Sequence, residues 1–218
     1  MPVDRTGLER LRELMQRHCF QYGDFTLTSG RKSKFYYNGK RITLRPSGAK
    51  LIGEALVDVV LASGAEAVGG PAIGAIPIAM AVGLASVEHG RDLPVYVVRM
   101  EQKQHGARDL IAEPYASLEL GEVEEEGQDL LRPGRRVAIV EDTITTGGSV
   151  RQAIEALEKL RCYVSLIAVL VERHEGGCQA LRDDKYDVVS LFLADENGQL
   201  TVNETYVERL EAAQAGVG

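Results

Sequence analysis

Apolar residues recur along this chain with two different periods, and the places where the period changes outline its architecture. Leu8, Leu11, Leu14 and Met15 repeat at helical spacing, and Thr6 with Glu9 has the form of a capping box, so an amphipathic first helix is expected. Residues 25–40, FTLTSGRKSKFYYNGK, read as two short strands around a Ser-Gly-Arg turn. Pro46 suits the first turn of the next helix, whose apolar face is Leu51, Ile52, Ala55, Leu56, Val59 and Val60 and which Gly64 should end.

Beyond that point strands and helices alternate. Apolar runs at 67–69, 95–98, 137–140, 164–171 and 188–193 read as strands. Segments 76–87, 150–160, 179–182 and 204–213 read as helices. Strands that are apolar throughout are buried on both faces, which predicts an α/β fold with a central, mostly parallel sheet flanked by helices. The N-terminal helix and hairpin do not fit the alternation, so residues 1–45 are expected to form a small hood on a core spanning 46–218. Residues 104–136 are acidic and weakly patterned, with EVEEEG reading as a solvated turn between short strands. The stretch around 100–112 reads as a mobile loop, and long loops in compact domains often act as lids.

Composition narrows the class without changing that outline. A 218-residue chain that is 44% hydrophobic can bury a sizeable core. Its net charge of −7 argues against broad nucleic-acid binding. The three cysteines, Cys19, Cys162 and Cys178, have no metal-ligand or redox spacing and suit a reducing cytoplasm. The N-terminus is charged where a signal peptide needs an apolar stretch. The most apolar segment, 72–86, is too short to span a bilayer and carries Gly and Pro, so a buried helix is expected there and no membrane partner.

The chemistry concentrates at 137–149, VAIVEDTITTGGS. An apolar strand reads as stopping at Glu141 and Asp142, a Thr/Gly loop follows, and a helix opens at Val150. Ligands of open α/β sheets bind at such strand ends. The unpaired N–H groups and dipole of a helix start favour an anion. Gly147 and Gly148 allow close approach, and the hydroxyls of Thr143, Thr145, Thr146 and Ser149 add donors, so the loop predicts a phosphate site. The acids would repel that phosphate unless they meet another part of the same ligand. A ribose 5-phosphate resolves this, its diol facing carboxylates that accept hydrogen bonds and can hold Mg²⁺ directly or through water. The dinucleotide fingerprint and the P-loop pattern are both absent. An acidic receiver pocket would lie nearer the domain start and has no need of the loop.

The strand, acid pair and Thr/Gly loop resemble the signature of the type I phosphoribosyltransferases. FTLTSGRKSKFYYNGKR, GGPAIGAIPIA, VVRMEQKQHG and VLVERHEGG resemble, in order, the hood, diphosphate loop, mobile catalytic loop and acceptor strand end of the orotate phosphoribosyltransferases. That resemblance covers about residues 25–177 and implies transfer of the 5-phosphoribosyl group from its 1-diphosphate donor to orotate. It implies that Thr143, Ile144, Thr145, Thr146, Gly147, Gly148 and Ser149 hold the 5-phosphate and that Glu141 and Asp142 meet the ribose hydroxyls. It places Arg99, Lys103 and His105 on the diphosphate, with Lys103, Glu141 and Asp142 catalytic. Orotate is implied to meet Thr145, Arg173 and the backbone of Tyr36 and Tyr37. A homodimer sharing the catalytic loop across its interface is implied too, with Mg²⁺ held mainly through substrate and water. The chain departs from many relatives at Met100, and from some at Ile73, Gly74 and Thr28, by lacking a lysine there, which suggests heavier reliance on Mg²⁺, Arg99 and Lys103. Two alternatives stay open: a purine phosphoribosyltransferase, and a regulatory nucleic-acid-binding protein that keeps the donor pocket.

Overall fold

The computed structural model describes residues 3–26, 32–100, 111–112 and 130–216. Helix α1 (Arg5–Cys19) buries Leu8, Leu11, Met15 and Cys19. Its N-cap is Asp4, whose carboxylate accepts the Gly7 N–H at 2.9 Å, while Thr6 lies inside the first turn. The expected capping box is therefore displaced by a stronger capping residue just upstream. Strands β1 (Phe20–Thr26) and β2 (Lys32–Tyr37) form an antiparallel hairpin. Their Ser-Gly-Arg turn lies outside the described residues. A short α2 (Lys40–Thr43) leads into α3 (Pro46–Ala62), which begins on Pro46 as its composition predicts.

The alternation then proceeds through β3 (Ala67–Pro71), α4 (Ala75–Glu88), β4 (Val95–Val98), β5 (Ile111–Ala112) and β6 (Arg136–Ile144). It continues with α5 (Gly148–Lys159), β7 (Tyr163–Arg173), α6 (Gly177–Asp183), β8 (Val188–Ala194), β9 (Leu200–Val202) and α7 (Glu204–Ala215). The main sheet has seven strands in the order β5-β4-β3-β6-β7-β8-β9. Its five central strands are parallel and only the edges β5 and β9 are antiparallel. Those short edge strands, and α2, carry too little pattern to be read from the sequence.

Each central strand feeds two cores. Ala138 and Val140 join one face with Leu8, Ile52, Ala75 and Tyr206, while Val137 and Ile139 join the other with Val150, Leu157 and Leu181. The period-two alternation of a strand explains why both sets are apolar. Phe20, Phe35 and Tyr37 of the N-terminal hairpin enter the first of these cores, so hairpin and sheet bury their apolar side chains together. Helix α4 differs from the fully buried element its composition suggests. It packs Ile78, Ala79 and Val82 inward but leaves Met80, Leu84 and Val87 exposed. The sheet and α3 cover two of its sides, and these three residues project from the remaining one.

Candidate active site

Strand β6 does not stop at its last valine. Pairing with β7 carries it on through Glu141↔Val169, Thr143↔Val171 and Ile144↔Glu172. Its pairing with β3 ends at Ile139. The acid pair is thus part of the strand, held by backbone bonds on the β7 side only. From β3 the chain crosses outward to β4, and from β6 it crosses the other way to β7, so the crevice between β3 and β6 is the switch point of the sheet.

Glu141 is buried, and its Oε1 accepts the Asp142 N–H at 2.9 Å. Burial first, and the adjacent Asp142 charge second, push the Glu141 carboxyl well above the usual carboxylate range. Two loops press on the pair. A Cβ built at Gly74 would lie 2.6 Å from Glu141 Oε1, and one at Gly39 would lie 2.8 Å from Asp142 Oδ2. Tyr37 also reaches in, its hydroxyl donating to the Asp142 carbonyl at 3.4 Å.

Beyond Ile144 the chain turns through Gly147 (φ +83°) into α5, which has no side-chain cap and no acid in its first turn. Its leading N–H groups are therefore available to a ligand. A cavity of about 130 Å³ opens there, lined by Glu141, Thr143, Thr145, Gly148 and Ser149 among others. Thr143 Oγ1 is buried in this region without a hydrogen-bond partner. Thr146 and Ser149 are exposed and Thr145 is half-buried. Ile144 differs from its neighbours: its side chain is buried in the second core, so only its backbone faces the loop.

One residue that the sequence reading passed over shapes this loop. The Gly177 N–H donates to the Thr145 carbonyl at 2.9 Å. A Cβ at Gly177 would collide with that carbonyl and lie 2.8 Å from the Gly147 nitrogen. The Gly-Gly pair closing VERHEGG was the available signal.

Arg173 ends β7 with its guanidinium carbon 4.9 Å above the Phe35 ring and Nη2 2.9 Å from Glu175 Oε1. Tyr36 and Tyr37 part company. Tyr37 is buried, whereas Tyr36 is exposed with its ring 5.9 Å from that of Phe25. Neighbours on a strand point to opposite faces, so only one of them can face the core. Arg99 directly follows β4 and is half-buried. Lys103, His105 and Thr28 lie outside the described residues, and Ile73 is exposed beside a cis Ala72–Ile73 peptide. Among the described residues no three His, Cys, Asp or Glu side chains converge as a metal cage, and no helix is long and apolar enough to cross a membrane.

Residues 49–202 match the family model described as a phosphoribosyl transferase domain. The orotate phosphoribosyltransferase of Rhodopirellula baltica is 36% identical over 184 residues, covering 82% of this chain and 87% of that protein. The orotate phosphoribosyltransferase of Mycobacterium tuberculosis, solved with Fe(III) dicitrate, is similar in structure with a TM-score of 0.67 and 32% identity, over 84% of this chain and 94% of that one. The same enzyme solved with 5-phospho-alpha-D-ribosyl 1-diphosphate aligns with a TM-score of 0.65 and 27% identity, over 94% of this chain and 99% of that one.

Proposed function

The chain belongs to the phosphoribosyl transferase family, and on that footing we infer that it transfers the 5-phosphoribosyl group from 5-phosphoribosyl 1-diphosphate to orotate. The products are orotidine 5′-monophosphate and diphosphate, in pyrimidine biosynthesis. The observation that carries the reading is the uncapped start of α5 beside the acid pair at the β3/β6 switch point. One end of that pocket suits a phosphate and the other a diol.

In the reaction the bond from ribose C1 to diphosphate oxygen breaks with its electron pair on the leaving group, and an orotate nitrogen, losing its proton to solvent, supplies the pair for the new bond to C1. The ribose ring is cationic between these events, so catalysis is mainly electrostatic and positional. The backbone of Thr143–Ser149 and the threonine hydroxyls hold the 5-phosphate. Glu141 and Asp142 meet the ribose hydroxyls and face the cationic ring. Arg99, Lys103 and His105 take up charge on the diphosphate. Arg173 takes the orotate carboxylate, with Thr145 and the backbone of Tyr36 and Tyr37 alongside. The Asp142 carboxylate, beside a Glu141 carboxyl already engaged by a backbone N–H, would suit a Mg²⁺ held chiefly by substrate oxygens and water. Such an ion would neutralise charge on the leaving diphosphate.

The exposed residues Met80, Leu84 and Val87 fall at i, i+4 and i+7 on α4, which supports a homodimer in which the Lys103 loop serves the neighbouring site. The acidic composition and free cysteines suit a cytoplasmic enzyme without nucleic-acid or membrane partners. The test is direct. Adding donor and Mg²⁺ should deplete orotate absorbance with matching diphosphate release, and purine bases should release none. Diphosphate release with a purine but not with orotate would replace this reading with the purine alternative.

A further inference from the structure

The turn after β7 folds back on the arginine that precedes it. The Glu175 N–H donates to the Arg173 carbonyl at 2.6 Å, and Gly176 follows with φ +86°. This reversal returns the Glu175 carboxylate to the Arg173 guanidinium, Oε1 to Nη2 at 2.9 Å. Both side chains are largely withdrawn from water, at 12% and 13% exposure. The ring of Phe35 lies against the guanidinium at 4.9 Å. A guanidinium this dry requires a counter-charge, and losing it is strongly unfavourable. Glu175 supplies that counter-charge, its Oε1 lying against Arg173 Nη2.

We propose that Glu175 is a specificity-determining residue: a built-in carboxylate that competes with the acceptor's carboxylate for Arg173. The proposal rests on the reading above, in which Arg173 receives that carboxylate. A planar carboxylate that presents two oxygens to the guanidinium gains two parallel charge-assisted hydrogen bonds and can compete with Glu175 for it. An anion that cannot match that geometry is turned away. Selectivity for a carboxylate of the right geometry is thereby obtained at some cost in affinity, the usual trade when discrimination is built from a competing interaction.

The discriminating experiment measures KM for orotate at saturating donor, with kcat and the KM for donor recorded alongside. Glu175→Gln keeps the shape and a neutral acceptor for Arg173 but removes the competing charge. Orotate KM should fall about fivefold, equivalent to about 1 kcal/mol of competition removed. The kcat and the donor KM should stay within about twofold, and the melting temperature should fall because Arg173 loses its counter-charge. Glu175→Asp keeps the charge on a shorter arm and should lower orotate KM by a smaller factor in a folded protein. Arg173→Ala separates the two claims. If it leaves orotate KM unchanged, the acceptor role of Arg173 fails. If it raises orotate KM while both Glu175 variants leave it unchanged or raise it, the competition proposal alone is overturned and Glu175 is purely structural.

Discussion

The two ends of the pocket are built by different means. The end we assign to phosphate is mostly backbone: a strand, a glycine turn and an uncapped helix start, continuous in sequence and braced from behind by Gly177. The acceptor end is made of side chains from distant segments, with Phe35 from the hood under Arg173 from β7 and Glu175 closing the edge. A backbone site offers donors whose positions are set by hydrogen bonds that folding must make anyway, so it tolerates side-chain change. A side-chain site depends on rotamers and on counter-charges, and a single substitution can retune it. The donor end is accordingly suited to a fixed task and the acceptor end to choosing among ligands.

The largest effect should come from the donor end, at the charge that meets the leaving group. Lys103→Ala is expected to lower kcat about a hundred- to a thousandfold with an unchanged melting temperature, since one preorganised donor commonly contributes that much. Steady-state rates beside thermal melts check it. Next comes a backbone test: Gly177→Ala forces a Cβ against the Thr145 carbonyl and the Gly147 nitrogen. Displacing the loop by a fraction of an ångström to an ångström should cost about a hundredfold in kcat/KM for donor. Replacing Thr146 by Val should cost far less. If the threonine replacement proves the more damaging, the backbone account of this end is wrong.

At the acceptor end, Arg173→Ala should raise orotate KM about thirtyfold and leave the donor KM alone, because an unpaired carboxylate costs about 2 kcal/mol or more. Equal losses for both substrates would erase the distinction between the two ends. A smaller effect reads the acid pair through stability. Glu141 keeps its proton in the folded chain to well above its ordinary value of 4.5, whereas the unfolded chain releases it near that value. Its contribution to stability is therefore complete below about pH 4.5 and is lost as pH rises through the elevated folded range. Glu141→Gln should flatten the fall in melting temperature between about pH 5 and 8, measured by thermal denaturation in a buffer series. Smallest of all, Tyr36→Phe should change melting temperature and both KM values little, within about 0.5 kcal/mol, because its side chain is exposed.

The local form of the proposed donor end was legible before folding was considered. An apolar run, two acids, threonines, a glycine pair and a helical period lie side by side in VAIVEDTITTGGS, and local chemistry decides what such a stretch can bind. The alternation of strands and helices was equally clear, with errors confined to ends and edges. The strand ran on through the acids because β7 supplies partners for them, a non-local fact. The first helix took Asp4 as its cap in place of Thr6 because the chain enters the helix two residues sooner. The acceptor end was legible only as a resemblance. Nothing in the order of residues says that Phe35 lies beneath Arg173, that Glu175 turns back upon it, or that Tyr36 and Tyr37 serve different faces.

What the sequence determined by itself is therefore the alternating elements of the core, the parallel sheet they form and the Thr/Gly turn after β6, because periodicity and glycine content act over a few neighbouring residues. What the tertiary structure alone decided is where Glu141 and Asp142 sit between the hood and the Gly74 loop, and which charge answers Arg173. Those are matters of burial and of contact across long sequence separations, and both come into being only when the sheet and its hood close around one pocket.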